Sequence, residues 1–139
     1  MPRILFALLA LCLFALPAFA GDKALPETPM DTVEAKIASG DCHLYDANSK
    51  GTRDEQGVIA GAVLLDSYSE YDLALLPKEK DASLVFYCGS TRCTASDKAA
   101  VRAIDAGYTQ VSVMREGIKG WKKAGKATVP ADAKKSDKS

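Results

Sequence analysis

Residues 83–114 constrain this chain more than any other stretch. An apolar run at 83–88 is followed by small and polar residues, then by 94–106, which keeps Ala95, Ala99, Ala100, Ala103 and Ile104 on one helical face and stops at Gly107. A second apolar run fills 110–114. Short runs rich in β-branched and aromatic residues read as buried strands, and the helical spacing between them ends on the residue type that closes helices. Strand, helix, strand is a βαβ unit, which makes its two strands parallel and covers the sheet with helix. Further short apolar runs at 42–47 and 62–65 extend the same pattern. The reading is an α/β fold: a small, mostly parallel central sheet flanked by helices on both faces.

Two other helices are expected. Asp31-Thr32-Val33-Glu34 offers a cap for a helix over 32–39 that Gly40 closes, and 117–124 carries the only tryptophan, Trp121, as a core anchor. Residues 21–30 are Pro-rich and 128–139 form a Lys/Asp/Ser tail, so both read as flexible ends around a folded unit at 31–127. No internal repeat is visible.

The first 20 residues are expected to leave before folding matters. Arg3 precedes an apolar run at 4–16 and then Pro17-Ala18-Phe19-Ala20, the layout of a cleavable signal peptide cut after Ala20. The run is short of the roughly 20 residues a membrane span needs. Cys12 follows Leu11 rather than a small residue, which argues against lipidation. The expectation is a periplasmic or secreted protein that does not bind the membrane after cleavage. With 139 residues the chain suits one domain, and 18 Lys plus Arg against 18 Asp plus Glu leave no global field for nucleic acid. A monomer is expected.

Cleavage leaves Cys42, Cys88 and Cys93. An odd number in an oxidising compartment leaves at least one thiol unpaired within the chain, which excludes a pure disulfide scaffold and flags a reactive group. Zinc ligation fails on spacing, since four residues separate Cys88 from Cys93 and the only histidine, His43, is remote in sequence. No metal or cofactor is expected.

In an open parallel sheet, ligands bind where strand carboxyl ends lead into helix N-termini. Cys88 stands at such a place, ahead of Gly89, Ser90, Thr91, Arg92, Cys93 and Thr94. Backbone N–H groups of a small-residue loop, a positive helix end and a nearby guanidinium all favour a thiolate, the nucleophilic form, and the same surroundings suit an anionic sulfur group. The competing reading is a buried core thiol, the commonest fate of a free cysteine. Against it, the strand ends here and Gly-Ser-Thr exposes backbone.

Several dispersed motifs now resemble the rhodanese family from Tyr45 to Gly125. Tyr45-Asp46-Ala47-Asn48 matches its strand-end acidic motif, Gly57-Val58-Ile59-Ala60-Gly61-Ala62 its Gly-His-Ile-Pro-Gly-Ala motif, and Val85-Phe86-Tyr87-Cys88 its nucleophile strand. Ala99-Ala100, Ala106-Gly107-Tyr108 and Glu116-Gly117-Ile118-Lys119-Gly120-Trp121 match the closing pattern. The departures are Val58 for His, Ala60 for Pro, Glu116 for the first Gly of a pair, and Thr91-Arg92-Cys93 where many members carry a central Gly and a final Arg-Ser.

The resemblance implies a sheet of about five strands and a sulfurtransferase without a cofactor. Cys88 would attack a small anionic sulfur donor such as thiosulfate, become a persulfide, and pass the sulfur to a thiol or cyanide-like acceptor. Gly89 to Thr94 would form the substrate-binding loop and Asp46 would support it, through N–H contacts or by capping the strand end. The alternative is a sulfur carrier or redox-sensing module using Cys88 and Cys93 without rapid turnover. Six residues from Cys88 to Cys93 resemble the sulfurtransferase loop, whereas phosphatase relatives use one more residue and a Cys-x5-Arg spacing that Arg92 does not satisfy.

Cys93 reads first as packing at the helix start; the other reading is a thiol that resolves an oxidised or persulfidated Cys88. Its spacing leaves a disulfide open. Cys42 lies at the far end of its strand from Asp46, too distant to take part. Of Arg53, Arg92, Lys98, Arg115 and Lys119, all able in principle to steer an anion, Arg92 has the position that matters most.

Overall fold

The computed structural model describes residues 24–132. The expected signal peptide and the last residues of the tail lie outside them. In chain order the elements are α1 (Met30–Ser39), β1 (His43–Asp46), α2 (Lys50–Gln56), β2 (Val63–Leu64), a 3-10 turn (Leu73–Leu75), β3 (Ser83–Tyr87), α3 (Ala95–Asp105), β4 (Gln110–Met114) and α4 (Gly117–Lys123). The strands form one parallel sheet in the order β2-β1-β3-β4. No helix among the described residues is long and apolar enough to cross a membrane.

β3 lies second from one edge and is covered on both faces, which is why its sequence is a continuous apolar run: Leu84, Val85, Phe86 and Tyr87 are fully buried. Their alternation splits the core in two. Leu84 and Phe86 pack with Tyr45, Val111, Val113 and the Ala99, Ala100 and Ala103 stripe of α3. Val85 and Tyr87 pack on the other face with Val33 of α1 and Ile118 and Trp121 of α4. Each such side chain contributes about 1.5–3 kcal/mol of apolar burial, so the centre of the sheet carries much of the hydrophobic stabilisation.

Several expectations need correction. The sheet has four strands rather than about five. Where a fifth would pair with β4, residue Glu27 makes a single bridge to Val113, with N–H···O bonds of 2.9 Å from Thr28 to Val113 and from Val113 to Pro26. The stretch read as a flexible leader thus satisfies the open edge of β4, whose backbone groups need partners. It also starts α1 at Met30, after Pro29, rather than at the Asp31-Thr32 cap. At the other end Val129, in the expected tail, pairs with Val58 through bonds of 2.8 and 2.9 Å. Helix α2 has no apolar stripe and its only buried residue is Arg53, so hydrophobic periodicity could not reveal it.

Candidate active site

Cys88 follows the last residue of β3 and is 2 % exposed. Its sulfur is bonded to Cys93 in a disulfide whose Cα atoms are 6.3 Å apart. The packing role first read for Cys93 is therefore incomplete. The loop folds back by a turn in which the Cys93 N–H donates to Ser90 O at 3.0 Å, and that brings the second sulfur to the first. Thr94 caps α3, so six residues from Cys88 to Cys93 precede the helix, as the spacing implied.

Ser96, in the first turn of α3, is buried and places its hydroxyl 3.2 Å from Cys88 Sγ, within reach to donate. Sequence reading missed it. The signal was its place two residues after a helix cap, where a polar residue facing inward is rare unless partnered.

Two backbone carbonyls of the site are held from the opposite side. Ile118 N–H donates to Cys88 O at 2.8 Å and Lys119 N–H to Gly89 O at 3.0 Å, so the start of α4 clamps the loop where it leaves β3. The approach is close enough to require glycine: Gly117 has φ +63°, and a Cβ there would stand 2.6 Å from Cys88 O. This accounts for the second glycine of the Glu116-Gly117 pair. Glu116 accepts a bond from the Met30 N–H at 3.4 Å, which ties it to α1 and not to the sulfur.

Beneath Cys88 lies a buried polar network. The Asp46 carboxylate accepts from the Tyr87 hydroxyl (2.6 Å), the Asn48 N–H (2.7 Å) and Arg53 Nε (3.2 Å). Arg53 Nη2 also donates to the carbonyls of Asp46 and Leu65, each at 2.8 Å. The Ile59 N–H donates to the Tyr87 oxygen at 3.1 Å, which joins the 57–62 motif to the residue before the cysteine. Burial, and then the Asp46 charge, push the Tyr87 phenol far above its usual range, so it stays a donor. Asp46 does not bond the N–H groups of the loop; it supports Cys88 through Tyr87. Arg53 is buried in this ion pair, which corrects its reading as a steering cation.

The remaining cations divide clearly. Arg115 is held by Asp97 at 2.6 Å and Glu27 at 3.1 Å. Lys98 lies over the Tyr68 ring. Arg92 and Thr91 are exposed, and Arg92 forms no ion pair among the described residues. Lys119 lines a cleft of about 570 Å3 together with Asn48, Tyr68, Gly89 and Cys93. Cys93, half-buried, is thus the sulfur that faces this cleft. A wider cleft of about 780 Å3 between α2 and residues 128–132 contains no cysteine. Cys42 is a free thiol against the α1/α4 core, its pKa raised chiefly by burial. No cluster able to hold a metal occurs among the described residues.

The family model of the rhodanese-like domain matches residues 29–124. The chain belongs to the rhodanese-like family. Solved structures carry the same fold. A protein from Bacillus halodurans, BH2092, superposes with a TM-score of 0.62 at 19 % identity, over 73 % of this chain and 74 % of that one. The human single-domain sulfurtransferase TSTD1 gives 0.57 at 21 %, over 72 % and 97 %. The thiosulfate sulfurtransferase of Pseudomonas aeruginosa gives 0.56 at 20 %, over 73 % of this chain and 19 % of that longer one. No curated protein matches. The rhodanese-like assignment spans both halves of the site, from α1 through the clamp at the start of α4.

Proposed function

We propose that this rhodanese-like protein is a sulfurtransferase in which Cys88 takes a sulfane sulfur from thiosulfate or a related anionic donor and passes it to a thiophilic acceptor through a Cys88 persulfide. The observation that carries this reading is the placing of one sulfur, at the end of β3, within 3.2 Å of the Ser96 hydroxyl and just ahead of the N-terminus of α3. Both favour negative charge on sulfur, first as thiolate and then as persulfide, without a metal. The N–H groups of Ser90, Thr91 and Arg92 donate to no protein acceptor among the described residues, which leaves them for an anionic donor. The two half-reactions share one covalent intermediate, hence ping-pong kinetics.

The test is thiosulfate:cyanide sulfur transfer by the reduced protein. Cys88→Ser is expected to fall to the uncatalysed background, and mass spectrometry after thiosulfate should place one added sulfur on Cys88. Sulfur found on Cys42 instead would refute the assignment.

The Cys88–Cys93 bond favours a second reading, a redox-sensing module on the same scaffold with no rapid turnover. Steady cyanide-dependent turnover by the reduced protein would exclude it. The same bond suits the export we propose, since disulfides persist in oxidising compartments. N-terminal sequencing of the exported form should begin at Gly21, and a mature chain that keeps residues 4–16 would overturn the cleavage. We further propose that the mature protein acts as a monomer.

A further inference from the structure

Sulfur transfer to an external acceptor has no use for Cys93, yet Cys93 reaches the nucleophile. The atom it bonds, Cys88 Sγ, is the inner sulfur of any persulfide that forms there. A Cα separation of 6.3 Å lies within the usual disulfide window of about 4.4–6.8 Å, so the loop brings the two sulfurs together in its observed conformation. We infer that the Cys88 persulfide is resolved internally by Cys93, which releases hydrosulfide and leaves the Cys88–Cys93 disulfide, so that the protein is a dithiol-dependent sulfane-sulfur reductase. The inference rests on the sulfurtransferase reading of Cys88.

Cys88 thiolate attacks the sulfane sulfur of thiosulfate; the sulfur–sulfur bond of the donor breaks, sulfite leaves, and a Cys88 persulfide forms. The Cys93 thiol then attacks Cys88 Sγ; the new bond is the disulfide, the bond to the outer sulfur breaks, and the outer sulfur departs as hydrosulfide with the proton from Cys93. The sulfane sulfur gains two electrons, and the two cysteine thiols supply them. A dithiol reductant restores both thiols and is itself oxidised to a disulfide.

Access decides which sulfur the reductant meets. Cys88 is 2 % exposed and walled in by β3, Ser96 and the α4 clamp, whereas Cys93 is half-buried and lines the 570 Å3 cleft. Attack at Cys93 expels Cys88 as the leaving thiolate, beside the Ser96 hydroxyl and the N-terminus of α3, which stabilise it. The direction of opening therefore regenerates the nucleophile ready for the next donor.

The experiment is a single turnover. Wild-type protein is reduced, freed of reductant, and mixed with thiosulfate in the absence of any added thiol, beside Cys93→Ser and Cys93→Ala. Wild type is expected to release about one hydrosulfide per chain and to lose two thiols to a Cys88–Cys93 disulfide found by peptide mapping. Both variants are expected to hold the added sulfur on Cys88 and to release no hydrosulfide. A wild type that keeps its persulfide overturns the inference and leaves sulfur transfer standing, as does hydrosulfide release from the variants at the wild-type rate. If neither wild type nor the variants gain sulfur on Cys88, the sulfurtransferase reading fails, and the inference with it.

Discussion

The two sides of Cys88 are built by opposite means. On the sheet side, Asp46, Arg53, Tyr87, Asn48 and Ile59 form a buried network, and the residues next to the cysteine are fixed from both faces of the sheet. On the loop side, Thr91 and Arg92 are exposed, and within 89–94 the ordering contacts are one turn bond, one clamp bond from α4, the bond from the Lys98 N–H to Thr94 O that opens α3, and the disulfide. Cys88, the proposed nucleophile, is thus placed by a densely bonded frame, while the groups that would meet a substrate sit on the compliant side. This division suits a site that must hold one sulfur still and let a second one approach and leave.

The sheet side is most vulnerable at Asp46. Asp46→Ala removes the only acidic partner, among the described residues, of a buried guanidinium, and the acceptor of the Tyr87 hydroxyl. Truncating one partner of a buried pair costs about 3–5 kcal/mol, because the other charge stays buried and uncompensated. Urea unfolding should show that loss, and adding Arg53→Met should recover part of it. A change below about 1 kcal/mol would mean that the frame does not depend on this pair.

The contrast also explains what was legible in the sequence. β3, α3 and β4 were read almost to the residue, because burial on both faces writes a continuous apolar run and α3 writes an alanine stripe. The position of Cys88 followed from the same pattern. What the sequence hid depends on contacts that only the folded backbone creates. Arg53 sits in a polar helix and looks like a surface cation until Asp46, seven residues earlier, is folded over it. Gly117 reads as a helix start, and only its approach to Cys88 O shows why a side chain is forbidden there. The bond between Cys88 and Cys93 turns on the backbone path of one loop, which residue types alone do not fix.

Ser96 tests the boundary between the two sides at an intermediate scale. Its hydroxyl is the side-chain group that touches Cys88 Sγ from α3. Ser96→Ala removes a hydrogen bond to a sulfur that would carry charge, a loss of about 1.5 kcal/mol or roughly tenfold. Alkylation of reduced Cys88 by iodoacetamide at neutral pH should slow by about that factor. The difference should vanish in alkaline buffer, where the thiol ionises with or without the donor. Equal rates at neutral pH would remove Ser96 from the site and leave the helix end to act alone.

The smallest effect is expected at Arg92, where the frame has no hold. A dianionic donor approaching a thiolate meets charge of its own sign, and the fixed positive end of α3 offsets part of that repulsion. Arg92 is exposed and forms no ion pair among the described residues, so its guanidinium is free to meet the donor but is screened by water as it does so. Exposed pairs are worth under about 1 kcal/mol, which limits the effect of Arg92→Ala to roughly fivefold. The interaction would be made equally with bound donor and transition state, so the change should fall on KM for thiosulfate and leave kcat nearly untouched. Raising the salt from a low value towards about 1 M shortens the screening length from tens of ångströms to about 3 Å and should erase the difference between variant and wild type. An unchanged kcat/KM at low ionic strength would show that the donor is held by loop backbone and helix end alone, and would narrow the compliant side of the site to residues 89–91, Cys93 and Thr94.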